Sequence, residues 1–352
     1  MNNVLHARYL TYFLLFQVIF IQVVSRFPNF VERYYSNQFY PLLSRFNRVS
    51  TGWISFSIGD LFYGVCMLIF IRYIYIIFRD KFNAMSTYLF AAGGTLSVLY
   101  FFFYLNWGLN YYRIPLATRL AIDSNTYSTE KLMDFSHKTI DKLNAIHSNL
   151  SANDSLPLEI AHTRKEMHQI AINGYKKLGK KHRFLDYKMT SVKGSLLSVP
   201  LSYMGFAGYL NPFTGEAQIN TKIPKSTYAF TICHEMAHQL GYAAENEANF
   251  IGYLASTAHS DPYFKFAGYL TALKYLLSEL HKRDPIAYAK TKSKLHKGIL
   301  KNLEASHAFW QSYENPLEPL FKSSYNNYLK ANNQKEGIQS YNYMVNLLLN
   351  YE

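Results

Sequence analysis

The sequence is poor in cysteine. Cys66 and Cys233 are the two it has in 352 residues, and neither has an obvious partner, which excludes a disulfide framework. Acidic residues are scarce too, with 23 Asp and Glu against 36 Lys and Arg, a net charge of +13. No module of the kind that reads RNA or DNA accompanies that charge, and the basic residues are scattered, as in Arg164-Lys165 and Lys176-Lys177. Nucleic acid is therefore not an expected partner. Attraction to anionic lipid headgroups accounts for the sign in a membrane-anchored chain. There is no internal repeat and no low-complexity segment, so no repeat architecture is expected.

Aromatic residues are plentiful: 31 Tyr and 26 Phe bring the aromatic share to 17%, and the excess is concentrated early. Three apolar runs stand there, at about 10–24, 54–78 and 87–105. Each approaches the ~20 residues that cross a bilayer as a helix. Trp53, Tyr104, Trp107, Tyr111 and Tyr112 border them, as rings anchored at an interface do. The first run lacks a small-x-small cleavage site and more runs follow, so an uncleaved span is expected. Asp60 and Arg72 sit near opposite ends of the second run, where both are expected to reach the headgroups. The short basic loop Arg79-Asp80-Lys81 points to the cytoplasm, while Arg26, Arg33, Arg45 and Arg48 in the longer first loop argue the other way. The short loop is the better guide. It makes this a multi-pass protein of the cell membrane with an extracytoplasmic C-terminal domain.

Residues 234–238 read His-Glu-Met-Ala-His. Histidines four apart share one face of a helix, so both imidazoles can bind one metal ion. Glu235 beside them can take a proton from an activated water. Glu-Asn-Glu-Ala-Asn follows at 245–249, and Glu245 or Glu247 can supply a third ligand. Three protein ligands and an open position are the layout of a catalytic zinc site. Gly241 stands where the first helix must end, and Ala243-Ala244 opens a second helical run. Cys233 is a poor ligand candidate, because adjacent helix positions point about 100° apart.

His234-Glu235-x-x-His238 with Glu245-x-x-Ala248-Asn249 resembles the zinc metallopeptidases called gluzincins, most closely their membrane-embedded branch with the CAAX prenyl protease. The whole chain also resembles a bacterial membrane family that carries an HExxH signature, which adds a domain plan and no substrate. The resemblance implies Zn²⁺ held by His234, His238 and Glu245, with Glu235 as general base. Two departures stand out. The branch has aspartate where this chain has Asn249, which can still accept a hydrogen bond from a ligand imidazole but without the charge that raises its basicity. The gap from His238 to Glu245 is short for the branch and leaves Glu247 as an alternative ligand. It is closer to metzincin spacing, but Ala244 excludes a metzincin site. Glu245 alone keeps the Ala and Asn offsets of the motif.

Helices are expected over 128–148, 157–178, about 228–240 and 243–258, then 263–280, 285–309, 317–329 and 338–349. Between 187 and 219 short β-prone runs alternate with glycine and proline. The hairpin 209–220 is nominated as a wall of the substrate cleft, where an edge strand can hold an extended peptide. Tyr325, Tyr328, Tyr341 and Tyr343 include candidates for stabilising an oxyanion. His259 reads as a capping or surface residue.

The expected plan is a membrane domain over 1–112 with three transmembrane α-helices, then an α+β zincin-like domain over 113–352, mostly helical with a small sheet. The expected function is a membrane-anchored zinc metalloendopeptidase acting on membrane-proximal or cell-envelope proteins or peptides. The bilayer and a protein or peptide substrate are its partners. The alternative is an inactive membrane scaffold that retains the metal site.

Overall fold

A computed structural model describes residues 2–122, 126–335, 337 and 343–351. The chain is mostly helical, with one three-stranded sheet. Three helices are long and apolar enough to cross a membrane: Leu5–Val24, Ile58–Arg79 and Met85–Asn106. Their outward surfaces expose large apolar side chains such as Phe16, Leu68 and Phe101, a pattern that suits a lipid solvent. The first and third of these helices pack together; there Gln17 Nε2 donates to Ser97 Oγ at 2.9 Å, a polar contact between apolar helices.

The connection between the first two spans is helical almost throughout. Pro28–Phe30 leads into a nine-residue π-helix, Val31–Phe39, which continues as Tyr40–Gly52. The wider turn leaves one amphipathic face, with Tyr35, Tyr40, Ser44 and Arg48 buried. That face lies on the second half of the molecule rather than in solvent, so the frame of the site draws on residues before 112 as well as after.

Asp60 departs from the expectation. It does not reach toward headgroups: it is buried, and its Oδ2 accepts from Leu196 N at 2.7 Å and Ser195 Oγ at 3.0 Å. Its Oδ1 accepts from the Tyr209 hydroxyl. Ser57 caps the same helix by accepting from Asp60 N. Glu216 completes the joint, taking the N–H groups of Ile58 at 3.2 Å and Gly59 at 2.6 Å. Carboxylates belong at a helix N-terminus, where free N–H groups and the dipole favour negative charge.

The sheet has β1 (Val192–Gly194), β2 (Gly208–Leu210) and β3 (Ala217–Ile219). β3 lies in the middle, parallel to β1 and antiparallel to β2. Asn211-Pro212-Phe213-Thr214-Gly215 makes the turn: Asn211 Oδ1 accepts from Phe213 N and Thr214 N, and Gly215 takes φ +66°.

Helix Lys225–Gln239 packs on β2 and β3, Arg164–Ile170 packs on β1, and further helices pack around these. Thr129–Leu150 matches the helix expected over 128–148, and Ser128 caps it by accepting from Lys131 N. The 157–178 segment differs: its helix begins at Arg164, where Thr163 and Glu166 form a capping box, and runs as Arg164–Ile170 and Ile172–Lys181. The 285–309 helix is two, Pro285–Lys292 and Lys297–Gln311. Pro262–Arg283 and Glu318–Ala331 match their expected places, and Tyr343–Asn350 is the described part of the last one. The core runs between them through Tyr175, Tyr228, Met236, Phe250, Phe264 and Leu273.

Candidate metal centre

The HExxH segment lies on helix Lys225–Gln239, whose residues from Tyr228 to Gln239 are all buried. Pro224 precedes its first turn, where a missing N–H costs nothing, and Gly241 leaves it with φ +84°. Helix Glu245–Ala258 returns against it. The approach is close at Gly252, where a Cβ would stand 3.1 Å from His234 N and 3.2 Å from its Cα. A larger residue there would push the helices apart and lift Glu245 from the histidines.

His234 Nε2 and His238 Nε2 stand 3.1 Å apart. Glu245 Oε2 is 3.3 Å from the first and 3.7 Å from the second. The three donor atoms are close enough to share one ion. His238 and Glu245 are oriented by neighbours that carry no signal in the motif. His238 Nδ1 faces the Tyr242 carbonyl at 2.7 Å, which keeps the hydrogen on Nδ1 and the Nε2 lone pair on the site. The Tyr325 hydroxyl donates to Glu245 Oε1 at 2.6 Å, leaving Oε2 for the histidines. Asn249 was expected to orient an imidazole; its Nδ2 instead reaches the Tyr275 hydroxyl at 3.3 Å, and His234 Nδ1 has no hydrogen-bond partner among the described residues.

Glu247, the alternative ligand, is placed elsewhere. Its Oε1 accepts from Leu116 N at 2.6 Å, near the buried pair Arg113–Glu32. Burial pushes its carboxyl up to about 7, against the Leu116 N–H and the Arg113 charge. Cys233 is buried in the apolar core, outside the donor set. His259 ends its helix, as expected of a capping residue, but is buried: it reaches the Ile170 carbonyl and stacks on Phe264.

Glu235 is 3% exposed and faces the same cleft. Its Oε2 has no hydrogen-bond partner among the described residues. Burial raises its carboxyl to about 6; the two histidines oppose the rise and Glu245 adds to it. Gly208 of β2 lies directly against it: a Cβ there would meet Glu235 Oε1 at 2.8 Å. For His238, burial is the largest influence and lowers the imidazole, but Glu245, Glu235 and the Tyr242 carbonyl together outweigh it and the ring rises to about 9. A bound cation would take the place of that proton.

The cleft holds about 520 Å³. β2 forms one wall, as expected of the hairpin, and Trp310 and Tyr325 lie among the lining residues. Tyr63 of the second apolar helix and Trp107 after the third also line it, so the cleft lies beside these helices. Tyr328 lines it too, whereas Tyr343 is exposed and Tyr341 lies outside the described residues.

Residues before 112 also hold the end of the HExxH helix. Its last carbonyls need donors, and they receive them. Trp107 Nε1 reaches His238 O at 3.3 Å, while Tyr40, Ser44 and Arg48 all donate to Gln239 O.

The chain belongs to the family described as "Protein of unknown function (DUF3810)", whose model matches residues 35–349. No curated protein and no solved structure matches it.

Proposed function

We propose that this protein is a membrane-anchored zinc metallopeptidase with a zincin-like domain outside the cytoplasm, acting on peptide bonds near the membrane or in the cell envelope. One observation carries the reading: two imidazole nitrogens and one carboxylate oxygen converge within 3.7 Å while a second, unpartnered carboxylate, Glu235, faces the same cleft. The donor set fits Zn²⁺, for which two His and one Glu with an open position is a known catalytic composition. When bound, the ion supplies Lewis acidity toward a water and a carbonyl oxygen.

The chain's own residues do the rest. His234, His238 and Glu245 hold the ion. Glu235, with a carboxyl near 6, accepts a proton from the attacking water and returns it to the leaving amine. β2 is a sheet edge along the cleft, so its main chain can pair with an extended peptide and lay the scissile bond beside Glu235. Tyr328 lines the cleft and is a candidate donor to the developing oxyanion.

An inactive scaffold retaining the metal is the second reading; the partnerless His234 Nδ1 favours it, since a ligand imidazole is ordinarily fixed from that side. Hydrolysis of quenched fluorescent peptides by the full chain in detergent separates the two. Activity that is lost on chelation and in Glu235→Gln, with metal content unchanged in that variant, supports the peptidase. Activity undiminished in Glu235→Gln overturns its role.

A further inference from the structure

A second set of donors converges away from the cleft. His147 lies near the end of helix Thr129–Leu150, Asp154 in the loop that follows, and His296 at the N-cap of Lys297–Gln311. His147 Nδ1 and His296 Nδ1 stand 3.3 Å apart. Asp154 Oδ1 is 3.2 Å from His296 Nδ1 and 3.9 Å from His147 Nδ1. Donors about 2.0–2.1 Å from a tetrahedral ion lie about 3.4 Å from one another. The spread here, 3.2–3.9 Å, matches the 3.1–3.7 Å of the first centre.

The hydrogens constrain the cluster further. His147 Nε2 faces the Leu156 carbonyl at 2.9 Å. A carbonyl only accepts, so Nε2 carries the hydrogen and neutral His147 turns a lone pair to the cluster from Nδ1. The Asp154 carboxylate also only accepts. His296 Nδ1 faces both and has at most one hydrogen to give. One proton cannot serve two acceptors in good geometry, whereas one cation serves all three donors. The Leu156 carbonyl on the far nitrogen of His147 is the support that ligand histidines ordinarily have.

The surroundings fix the backbone. Gly298 N donates to Asp154 O at 2.8 Å, and Ser148 Oγ to Asp154 Oδ1 at 3.1 Å. Asn144 accepts from His296 N and donates to Lys294 O, holding the two segments in register. His147 is fully buried, while the His296 and Asp154 side chains are 22% and 59% exposed, so one side stays open to water.

We propose that His147, Asp154 and His296 form a second divalent-metal site, for zinc, with water completing the coordination. The ion ties helix Thr129–Leu150 to Lys297–Gln311. The latter carries Ser306 and Trp310 into the lining of the cleft, so an ion at this site steadies one of its walls. The site stands independently of the peptidase reading, and its test reads metal rather than hydrolysis.

The test uses the full chain in detergent, dialysed against zinc-buffered solution, with zinc content and thermal unfolding measured. The His238→Ala protein should retain about one zinc per chain, and adding Asp154→Asn with His296→Ala should remove it. Zinc should raise the unfolding temperature of the first protein and not of the second. Asp154 and His296 are partly exposed, so their loss leaves the core intact. If His238→Ala does not fold, the comparison runs in the wild-type background, where the pair of substitutions should lower zinc content by about one per chain. Zinc content unchanged by that pair overturns the site, as does a folded His238→Ala protein that holds none.

Discussion

The Tyr325 hydroxyl donates to Glu245 Oε1 at 2.6 Å, while Oε2 of the same carboxylate faces His234 Nε2 at 3.3 Å. One oxygen is held from helix Glu318–Ala331 so that the other can serve the site. Tyr325→Phe should therefore lower metal affinity by about 10–100-fold, as loss of a group orienting a ligand does. Zinc titration against a competing chelator reads this. Unchanged affinity with a reduced rate of hydrolysis would instead assign Tyr325 to the oxyanion.

Gly208 is a second point of leverage. A methyl group there meets Glu235 Oε1 at 2.8 Å and the rigid Gln218 carbonyl at the same distance. Gly208→Ala should displace Glu235 and lower hydrolysis steeply while metal content stays at the wild-type level. Retained activity would mean that β2 can yield, and that Glu235 is not confined by it.

Glu216 joins the second span to the sheet through the N–H groups of Ile58 and Gly59. Glu216→Ala leaves those buried donors without their acceptor, at a cost of about 2 kcal/mol. The expected result is a lower unfolding temperature in detergent and easier proteolysis near the 211–215 turn. An unchanged unfolding temperature would show that Asp60 holds the joint alone.

His168 sets an acid limit. It stacks on Tyr228 and lies 2.8 Å from its hydroxyl. Burial, with Lys193 and Arg164 adding to it, lowers the imidazole from 6.5 to about 4. Between those values the unfolded chain binds more protons than the folded one, so stability falls as pH falls through that window. The loss is at most about 3 kcal/mol. His168→Gln should flatten the acid limb of unfolding temperature against pH; an equally steep limb in the variant contradicts the assignment.

Much of this was legible in the residues. Runs of about twenty apolar positions give the three helices long enough to span, because length and hydropathy are local properties. His234, His238 and Glu235 came from a four-residue spacing, and Glu245 from its offset to Ala248 and Asn249. Other parts depend on approach in space. Nothing local says that Asp60 turns to Tyr209 and Leu196, or that the π-helix Val31–Phe39 brings Tyr40 and Arg48 to Gln239. The Tyr242 carbonyl on His238 is a main-chain atom and carries no sequence signal. Tyr325 stood among several equivalent tyrosines, and the cluster of His147, Asp154 and His296 spans a separation that no motif covers.

The most direct test of the account is the zinc content of the purified full chain carrying Asp154→Asn and His296→Ala, compared with the same protein bearing Glu245→Ala or Glu247→Gln. The account predicts about one zinc per chain in the parent, its loss with Glu245→Ala and its retention with Glu247→Gln. No zinc in the folded parent, or loss with Glu247→Gln and retention with Glu245→Ala, would contradict it.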